Sequence, residues 1–286
     1  MTTSFLTDIT NRLTPVSDTP ALDASVLIGH ILNKPRTWVR AHPALTLTTE
    51  QQIQLDDSLA RLERGESFPY VLGHWEFFGL EFDITPDVLI PRPETELLVE
   101  RAITWLQEFP GRRRIADVGT GSGAIGVSIA ASVRDVKVLA TDISPKALQV
   151  ARLNAEKHRV NKSMEFVECD LLPIRSPAGN QESEIDLLCA NLPYIPTETL
   201  HSLSIFEHEP TLALDGGPDG LDLHRRLFSL VPEWLASDGK TLLEIETTQG
   251  TKILAMANDL FPGAEISLHR DLSGHDRLLE ISLSGK

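Results

Sequence analysis

The stretch CANLPYIP, residues 189–196, places a carboxamide side chain at the end of an apolar run. The run EIDLL that precedes it is typical of a buried strand, which stops at Asn191. Pro193 restricts the backbone just after the asparagine, and Tyr194 adds a ring with a polar tip. Because ligands of open parallel sheets bind beyond the carboxyl ends of the strands, we predict that Asn191 faces a ligand crevice. A plain turn at a strand end is the alternative.

A glycine-rich loop in IADVGTGSGAIGVSIAA, residues 115–131, predicts a second wall of the same crevice. Gly119, Gly121 and Gly123 permit a tight turn and the close approach of a ligand. A helix that begins directly after the loop would point its free N–H groups at an anionic ligand group. Asp142 ends the next strand, where a carboxylate can accept both hydroxyls of a ribose. These features indicate a nucleoside-containing ligand, with a purely structural turn as the alternative.

The glycine spacing fits two cofactor classes. Gly121-x-Gly123-x-x-Gly126 satisfies the dinucleotide fingerprint, which would suit a nicotinamide-dependent oxidoreductase. Asp117 precedes the first glycine by two residues, and D-x-G-x-G-x-G resembles the first motif of class I S-adenosylmethionine-dependent methyltransferases. That resemblance implies an acidic residue that helps to hold the loop and the methionine end of the cofactor.

Asn–Leu–Pro–Tyr at residues 191–194 resembles the N/D-P-P-Y/F motif of amino methyltransferases, which act on planar nitrogens of adenine, guanine or glutamine. We expect Asn191 Oδ1 and the backbone carbonyl of Leu192 to accept both N–H bonds of the substrate. The two dipoles would also meet the positive charge that develops on the nitrogen. Tyr194 would stack on the planar group and exclude water. Asn191 and Tyr194 are therefore predicted to be catalytic, and Leu192 and Pro193 complete the predicted substrate site.

Leu192 occupies a position where that motif usually has proline. The backbone carbonyl survives the change, and Pro193 still keeps residue 192 out of the helical region. The locked φ of residue 192 is lost, together with the direct restraint on Asn191. We expect retained chemistry at a less preorganised site.

The elements that position these residues are predicted in three domains, 1–72, 73–92 and 93–286. Residues 1–72 show helical periodicity, and residues 73–92 alternate aromatic or β-branched with polar side chains, as in a β-hairpin. After residue 93, strands alternate with helices at 124–133, 145–158, 221–236 and 250–260, which indicates an α/β fold with a mostly parallel sheet. The last two strands follow each other closely and suggest an antiparallel pair at one edge. The seven predicted strands are 113–119, 136–143, 164–170, 184–191, 240–246, 265–271 and 277–283.

Charge limits the partners of this 286-residue chain, whose formal net charge is −15. Residues 1–75 carry 6 Lys+Arg and 8 Asp+Glu, and the remaining residues carry 20 and 33. Proteins that hold nucleic acid through its phosphates usually present a basic face. We therefore expect no direct contact with nucleic acid, and the acidic C-terminal part fits a basic protein partner better.

No targeting, membrane or metal signal is recognisable. MTTSFLTDITNRL lacks the basic and apolar regions of a signal peptide, and no run approaches the roughly 18 apolar residues that span a bilayer. We expect a cytoplasmic protein without a membrane partner, with Cys169 and Cys189 as free thiols. ARLNAEKHR, residues 151–159, is expected to be a solvated helix face. No metal site is predicted, because metal-ligand spacing is missing around His208, Glu209, His269 and His275.

Several stretches together resemble the HemK/PrmC-type peptide chain release factor glutamine methyltransferases, over about residues 20–280. Besides the two motifs above, they include VLIPRPETE, EPTLALDGGPDGLDLHRRL and DLSGHDR. The resemblance implies S-adenosylmethionine as methyl donor, S-adenosylhomocysteine as product, and the glutamine of the Gly-Gly-Gln motif of class I release factors as substrate. It also implies a seven-stranded Rossmann-like methyltransferase domain, a connecting β-hairpin and a small N-terminal helical domain that helps to engage the release factor.

The same resemblance assigns the cofactor contacts. Leu171 should lie near the adenine, at a position where an aromatic occurs in some relatives. Arg92 and Glu94 in IPRPETE should either shape the mouth of the active site or form an interdomain salt bridge. The predicted cofactor-binding residues are Asp117, Gly119, Thr120, Gly121, Ser122, Gly123, Asp142, Asp170, Leu171 and Asn191.

Other functions share part of this pattern. A glutamine methyltransferase of a large-subunit ribosomal protein would use the same chemistry, whereas an adenine N6 methyltransferase would need a basic groove for nucleic acid. A nicotinamide-dependent oxidoreductase and a non-catalytic binding module are further alternatives. IPRPETE resembles the release-factor group more closely and favours that function.

Overall fold

The computed structural model describes residues 5–42, 45–174 and 184–284. The chain divides into two compact units, Met1–His74 and Trp75–Lys286. The finer division at residues 72 and 92 stays a prediction. Parts of those predicted domains lie outside the described residues, namely 1–4, 43–44, 175–183 and 285–286.

The first unit is helical in its described part, as the sequence predicts. Thr48 begins its longest helix with a capping box, in which the Thr48 side chain accepts from Gln51 N–H and the Gln51 side chain accepts from Thr48 N–H. Leu27, Ile28 and Leu55 are almost fully buried in a core of its own. Its helices are α1 (Phe5–Leu13), α2 (Pro20–Leu32), α3 (Arg36–Ala41), α4 (Thr49–Glu63) and α5 (Phe68–Leu72).

The predicted hairpin is formed by β1 (His74–Phe77) and β2 (Leu80–Asp83). Phe78 and Gly79 at its turn have φ of 52° and 71°, and positive values at both central residues are typical of a type I′ hairpin. A phenylalanine with positive φ is strained, and its N–H is held by Glu96 Oε1 at 2.8 Å.

A seven-stranded, mostly parallel sheet forms the centre of the second unit, with the order β5-β4-β3-β6-β7-β9-β8. The strands β3 to β7 pair in parallel with one another, and β9 pairs antiparallel with both β7 and β8. After β5 the chain returns to the other side of β3, so a topological switch point lies between β3 and β6, where such folds bind ligands. The strands are β3 (Arg114–Val118), β4 (Lys137–Asp142), β5 (Met164–Glu168), β6 (Ile185–Ala190), β7 (Leu235–Glu244), β8 (Glu265–Arg270) and β9 (Asp276–Ser282).

The four predicted helices of this unit are all present, and α6 and the short α9 were not predicted. The inward side chains of α6, among them Leu98, Val99 and Ala102, recur at the helical spacing of three to four residues. In the described part of the chain, no helix is both long and apolar enough to cross a membrane. The helices are α6 (Glu96–Glu108), α7 (Ala124–Ser132), α8 (Pro145–Lys157), α9 (Thr197–Leu200), α10 (Asp222–Trp234) and α11 (Gly250–Leu260).

Candidate active site

A cavity of about 650 Å³ opens at the carboxyl ends of β3, β4 and β6, at the switch point of the sheet. Most of the residues predicted from the two motifs meet in its wall. Three predicted residues, Asp117, Gly123 and Tyr194, are not part of that wall. The predicted residues in the wall are Gly119, Thr120, Gly121, Ser122, Asp142, Asp170, Leu171, Asn191, Leu192 and Pro193.

The glycine loop follows β3 and needs glycine for two reasons. Gly119, Gly121 and Gly123 have φ of 72°, 55° and 82°, a region that side chains disfavour. A Cβ on Gly119 would lie 3.2 Å from Leu192 Cδ2, and a Cβ on Gly123 would lie 3.2 Å from Ala151 Cβ. Gly123 therefore allows α7 to approach α8, and its contact with the cofactor stays a prediction.

Asp117 lies behind the loop rather than in the cavity. Its side chain is fully buried, and Oδ2 accepts from Thr120 Oγ1 at 2.6 Å and from Gly126 N–H at 2.9 Å. Oδ1 has no hydrogen-bond partner among the described residues. Burial raises the pKa of Asp117 to about 6, against the effect of these two hydrogen bonds. Asp117 therefore holds the loop from behind, and its contact with the methionine end of the cofactor stays a prediction.

Asp142 ends β4 in the cavity wall, as predicted. Its Oδ2 accepts from Gly121 N–H and its Oδ1 from Ser144 N–H, both at 2.9 Å. Burial raises the pKa of Asp142, and the hydrogen bonds from Ser144 and Gly121 oppose that rise. The carboxylate is therefore oriented by backbone donors at the edge of the cavity.

Asp170 and Leu171 form the wall beyond β5. Leu171 has a φ of 63°, and its carbonyl accepts from Thr141 Oγ1 at 2.6 Å. Asp170 forms an ion pair with Arg226 of α10, which also lines the cavity. Sequence patterns do not indicate Arg226, because a single arginine on an amphipathic helix has no distinctive spacing.

Asn191 follows β6 and is held by a buried network that the sequence analysis missed. Its Nδ2 donates to Thr95 Oγ1 at 3.0 Å, and Thr95 Oγ1 donates to Glu244 Oε2 at 2.6 Å. Thr95 and Glu244 are 4% and 1% exposed. A charged residue inside the apolar run LLEIE, at the end of β7, is the signal that would have found Glu244.

Tyr194 is turned toward the same glutamate. Its hydroxyl donates to Glu244 Oε1 at 3.2 Å, and Gln249 Nε2 donates to its backbone carbonyl at 2.8 Å. Burial and the charge of Glu244 raise the pKa of Tyr194. Tyr194 thus contacts the network behind Asn191 and is not among the residues of the cavity wall, and its stacking on the substrate stays a prediction.

The segment before α6 forms the opposite side of the cavity, to which Leu89, Pro91 and Thr95 contribute. Arg92 Nη2 lies 2.5 Å from Glu209 Oε1, and Glu209 Oε2 accepts from Ile90 N–H at 3.3 Å. Both partners of this ion pair belong to the second unit, Trp75–Lys286. Through these two contacts, Glu209 holds the VLIPRP segment at the side of the cavity.

Asn154 of α8 corrects the prediction of a solvated face for ARLNAEKHR. Its side chain is fully buried, whereas Arg152 and Glu156 of the same stretch are exposed. Asn154 Nδ2 donates to the carbonyls of Ser122 at 2.8 Å and Asp83 at 3.0 Å, and Oδ1 accepts from Asp83 N–H at 2.7 Å. This one side chain ties the glycine loop to the hairpin.

No group of three or more His, Cys, Asp or Glu side chains is arranged to hold a metal ion within the described ranges. The two cysteines, Cys169 and Cys189, are free thiols. The polar groups in the cavity wall include the carboxylates of Asp142 and Asp170, the Arg226 guanidinium and the Asn191 carboxamide.

Comparison with known proteins identifies the family. Residues 4–73 match the PrmC N-terminal domain, and residues 94–202 match the methyltransferase small domain. The release factor glutamine methyltransferase of Coxiella burnetii is 38% identical over 276 residues, which cover 95% of each chain. The enzyme of the same name from Moorella thermoacetica is 38% identical and covers 90% of this chain and 89% of its own.

A solved structure supports the fold independently. A methyltransferase from Pyrococcus furiosus superposes with a TM-score of 0.51 at 20% identity, covering 84% of this chain and 100% of its own. At that identity the likeness concerns the fold alone. The two close relatives are long and similar enough to decide the family, and the chain belongs to the release factor glutamine methyltransferases.

Proposed function

We propose that this protein transfers the methyl group of S-adenosylmethionine to the side-chain amide nitrogen, N5, of the glutamine in the Gly-Gly-Gln motif of class I peptide chain release factors. Family membership supports the reaction. The observation that carries the assignment to this site is that the glycine loop, Asp142 and residues 191–193 line a single cavity. A nucleoside site and an amide-recognition motif thus share one enclosed space.

The residues of the cavity suit this cofactor. Asp142 offers a carboxylate in the wall, where it can accept the hydroxyls of a ribose. Gly119 and Gly121 leave the loop backbone open to close approach by a ligand, since neither carries a Cβ. A volume of about 650 Å³ lies within the usual range for small-molecule sites. When bound, S-adenosylmethionine supplies an electrophilic methyl group on its sulfonium.

The Asn191 motif would orient the substrate amide. Asn191 Nδ2 is engaged by Thr95, so Oδ1 is the atom of that carboxamide that can accept an N–H from a ligand. The backbone carbonyl of Leu192 offers a second acceptor beside it. When both N–H groups are held, the amide nitrogen can become pyramidal and point its lone pair at the methyl group. Such positioning can lower the activation free energy by about 7–11 kcal/mol. A strong base is not required before transfer, because the methylated nitrogen is acidic and releases its proton readily.

The adenine end of the cofactor is assigned to the wall that contains Asp170 and Leu171. Both residues line the cavity, and the Asp170 carboxylate is paired with Arg226. The Leu171 side chain offers an apolar contact for a purine face. An aromatic residue, which would stack on the ring, is replaced here by an aliphatic one.

A release factor is the protein partner in this proposal, and its work in translation places the reaction in the cytoplasm. The acidic second unit suits a basic partner, as residues beyond 75 carry 33 Asp+Glu against 20 Lys+Arg. The helical first unit is assigned a part in engaging the release factor. Neither role requires direct contact with nucleic acid or a membrane.

The proposal is tested by incubating the protein with isotopically labelled S-adenosylmethionine and an unmodified class I release factor. Mass spectrometry of the Gly-Gly-Gln peptide should then show a mass gain of one labelled methyl group on the glutamine. A release factor with that glutamine changed to alanine is the control and should stay unlabelled. Absence of label from the release factor, with label on a ribosomal protein or on nucleic acid, would contradict the proposal.

A further inference from the structure

We infer that the Glu244 carboxylate, acting through the Thr95 hydroxyl, determines which end of the Asn191 carboxamide faces the substrate. Glu244 and Thr95 are then positioning residues for methyl transfer. The inference rests on the proposed function, which assigns Asn191 to the substrate amide. It adds two residues that lie outside the glycine loop and outside the motif at residues 191–194.

The inference starts from three hydrogen bonds with one common direction. Asn191 Nδ2 donates to Thr95 Oγ1 at 3.0 Å, Thr95 Oγ1 donates to Glu244 Oε2 at 2.6 Å, and Tyr194 OH donates to Glu244 Oε1 at 3.2 Å. Thr95 and Glu244 are almost fully buried, so water does not compete freely for these groups. We call Asn191, Thr95 and Glu244 the relay.

The direction of the relay follows from counting protons. An ionised carboxylate only accepts hydrogen bonds, and a hydroxyl carries one proton. The Thr95 hydroxyl donates its single hydrogen to Glu244. Its oxygen can therefore only accept a hydrogen bond from Asn191. Asn191 must therefore turn its NH₂ toward Thr95, and its Oδ1 points the other way. The opposite orientation would set two acceptors against each other in a buried place.

That orientation matters for the reaction because the substrate nitrogen arrives as a donor. A glutamine NH₂ needs acceptors, and Asn191 offers one only while Oδ1 faces the cavity. With the carboxamide flipped, two NH₂ groups would meet and the substrate would lose one of its two acceptors. The relay therefore affects the turnover of bound substrate more than the docking of the release factor.

The surroundings of Glu244 bring the pKa of its carboxyl group close to neutral pH. Burial raises the pKa of Glu244 to about 7, the hydrogen bonds from Thr95 and Tyr194 and the charge of Arg277 lower it, and the charge of Glu94 raises it. His224 Nε2 also lies 3.2 Å from the backbone carbonyl of residue 244. The groups that act on this carboxylate thus come from the turn before α6, the loop after β6, and β9, whereas His224 of α10 contacts the backbone of the same residue.

Protonation would reverse the relay. A neutral carboxyl group can donate its proton to the Thr95 oxygen, and Thr95 can then donate to Asn191. The carboxamide is no longer held in one orientation, so kcat should fall as the pH drops through about 7. A glutamine at position 244 has the same shape, but it can present either an oxygen or an NH₂ to Thr95 and does not titrate.

The first experiment compares two substitutions of Thr95 in steady-state methylation of an unmodified release factor. Thr95→Val keeps the shape and removes the hydroxyl, so kcat should fall by roughly 10-fold or more while KM for the release factor stays close to the wild-type value. Thr95→Ser keeps a hydroxyl and should retain most of kcat. Equal losses in the two variants would overturn the inference.

The second experiment is a double-mutant cycle. Glu244→Gln alone should lower kcat, and adding it to Thr95→Val should cause no further loss, because Glu244 acts through the hydroxyl that is already missing. Glu280→Gln is the matched control, since Glu280 is a buried carboxylate on β9 that does not line the cavity. Its kcat should match that of the wild type. Additive losses from Glu244→Gln and Thr95→Val would overturn the inference.

The third experiment separates this inference from the proposed function. The side-chain amide NMR signals of Asn191, assigned by their loss in Asn191→Ala, should shift with a midpoint near pH 7 in the wild type and stay constant in Glu244→Gln. This measurement needs no methylation. If the wild type leaves the release factor unmethylated, only the proposed function is contradicted. If the Asn191 signals show the same pH dependence in the wild type and in Glu244→Gln, only the relay is contradicted.

Discussion

At the scale of the residue, the proposed reaction depends on two acceptors, Asn191 Oδ1 and the backbone carbonyl of Leu192. Asn191 lies directly after β6, and the side chain of Leu192 is 3% exposed against Gly119 of the glycine loop. The leucine thus fills space between the two motifs while its backbone carbonyl remains an acceptor. In the proposed reaction, the side chain of Leu192 packs against the glycine loop and its carbonyl binds the substrate amide.

Truncation of Asn191 should reduce the chemical step far more than the fold. We expect Asn191→Ala to lower kcat by about 10²–10³-fold, the usual effect of removing one preorganised dipole from a reacting group. Affinity for S-adenosylhomocysteine, measured by calorimetry, should change much less, since Asp142 and the loop remain. An unchanged kcat would remove Asn191 from the reaction.

Substitution of Leu192 by proline should separate its two roles. Leu192→Pro locks φ before Pro193 and removes a buried side chain, so the melting temperature should fall while kcat stays at or above the wild-type value. Leu192→Ala loses the same packing without the lock and serves as the control. Turnover should be measured at a temperature where all three proteins are folded; a kcat in the proline variant as low as in the alanine variant would contradict this explanation.

At the scale of the element, the glycine loop is held by parts of the chain that lie far away in sequence. Asn154 of α8 bonds the loop at Ser122 and the hairpin at Asp83. Asp117 supports the loop from β3 through Thr120 and Gly126. The loop thus receives polar contacts from Asn154 of a helix and Asp117 of a strand, and Asn154 is itself hydrogen-bonded to the hairpin.

Loss of the Asn154 side chain should loosen both the loop and the hairpin. Asn154→Ala leaves backbone groups of Ser122 and Asp83 without partners, at about 1–3 kcal/mol for each buried group. We expect a lower free energy of unfolding in urea and weaker binding of S-adenosylhomocysteine. Asn258→Ala is a matched control, because Asn258 is exposed on α11 and bonds only its own helix. If both variants behave alike, Asn154 has no special role.

At the scale of the whole molecule, charge is divided unequally between the two units. Of the formal net charge of −15, the first 75 residues carry little, with 6 Lys+Arg against 8 Asp+Glu. The larger unit that holds the cavity is therefore strongly acidic. A negative field of this kind favours encounter with a basic protein and disfavours nucleic acid.

Methylation of a release factor should consequently depend on ionic strength. We expect kcat/KM to fall as salt rises from roughly 50 to 300 mM, because the Debye length shortens and long-range attraction is screened. The value of kcat at saturation should stay constant. A short, uncharged Gly-Gly-Gln peptide as substrate should show little salt dependence. A kcat/KM for the release factor that rises or stays level with salt would contradict electrostatic attraction.

Sequence alone determined the seven strands, the hairpin, the glycine loop and the placement of Asp142 and Asn191 at strand ends, because periodicity and turn chemistry act over a few neighbouring residues. Tertiary structure alone decided what holds Asn191. Thr95 lies 96 residues before Asn191 and 149 before Glu244. No local sequence pattern can therefore predict that the three side chains are in contact. Tertiary structure also placed the Tyr194 hydroxyl on Glu244, because packing in space and not spacing along the chain determines the hydrogen-bond partners of a buried polar group.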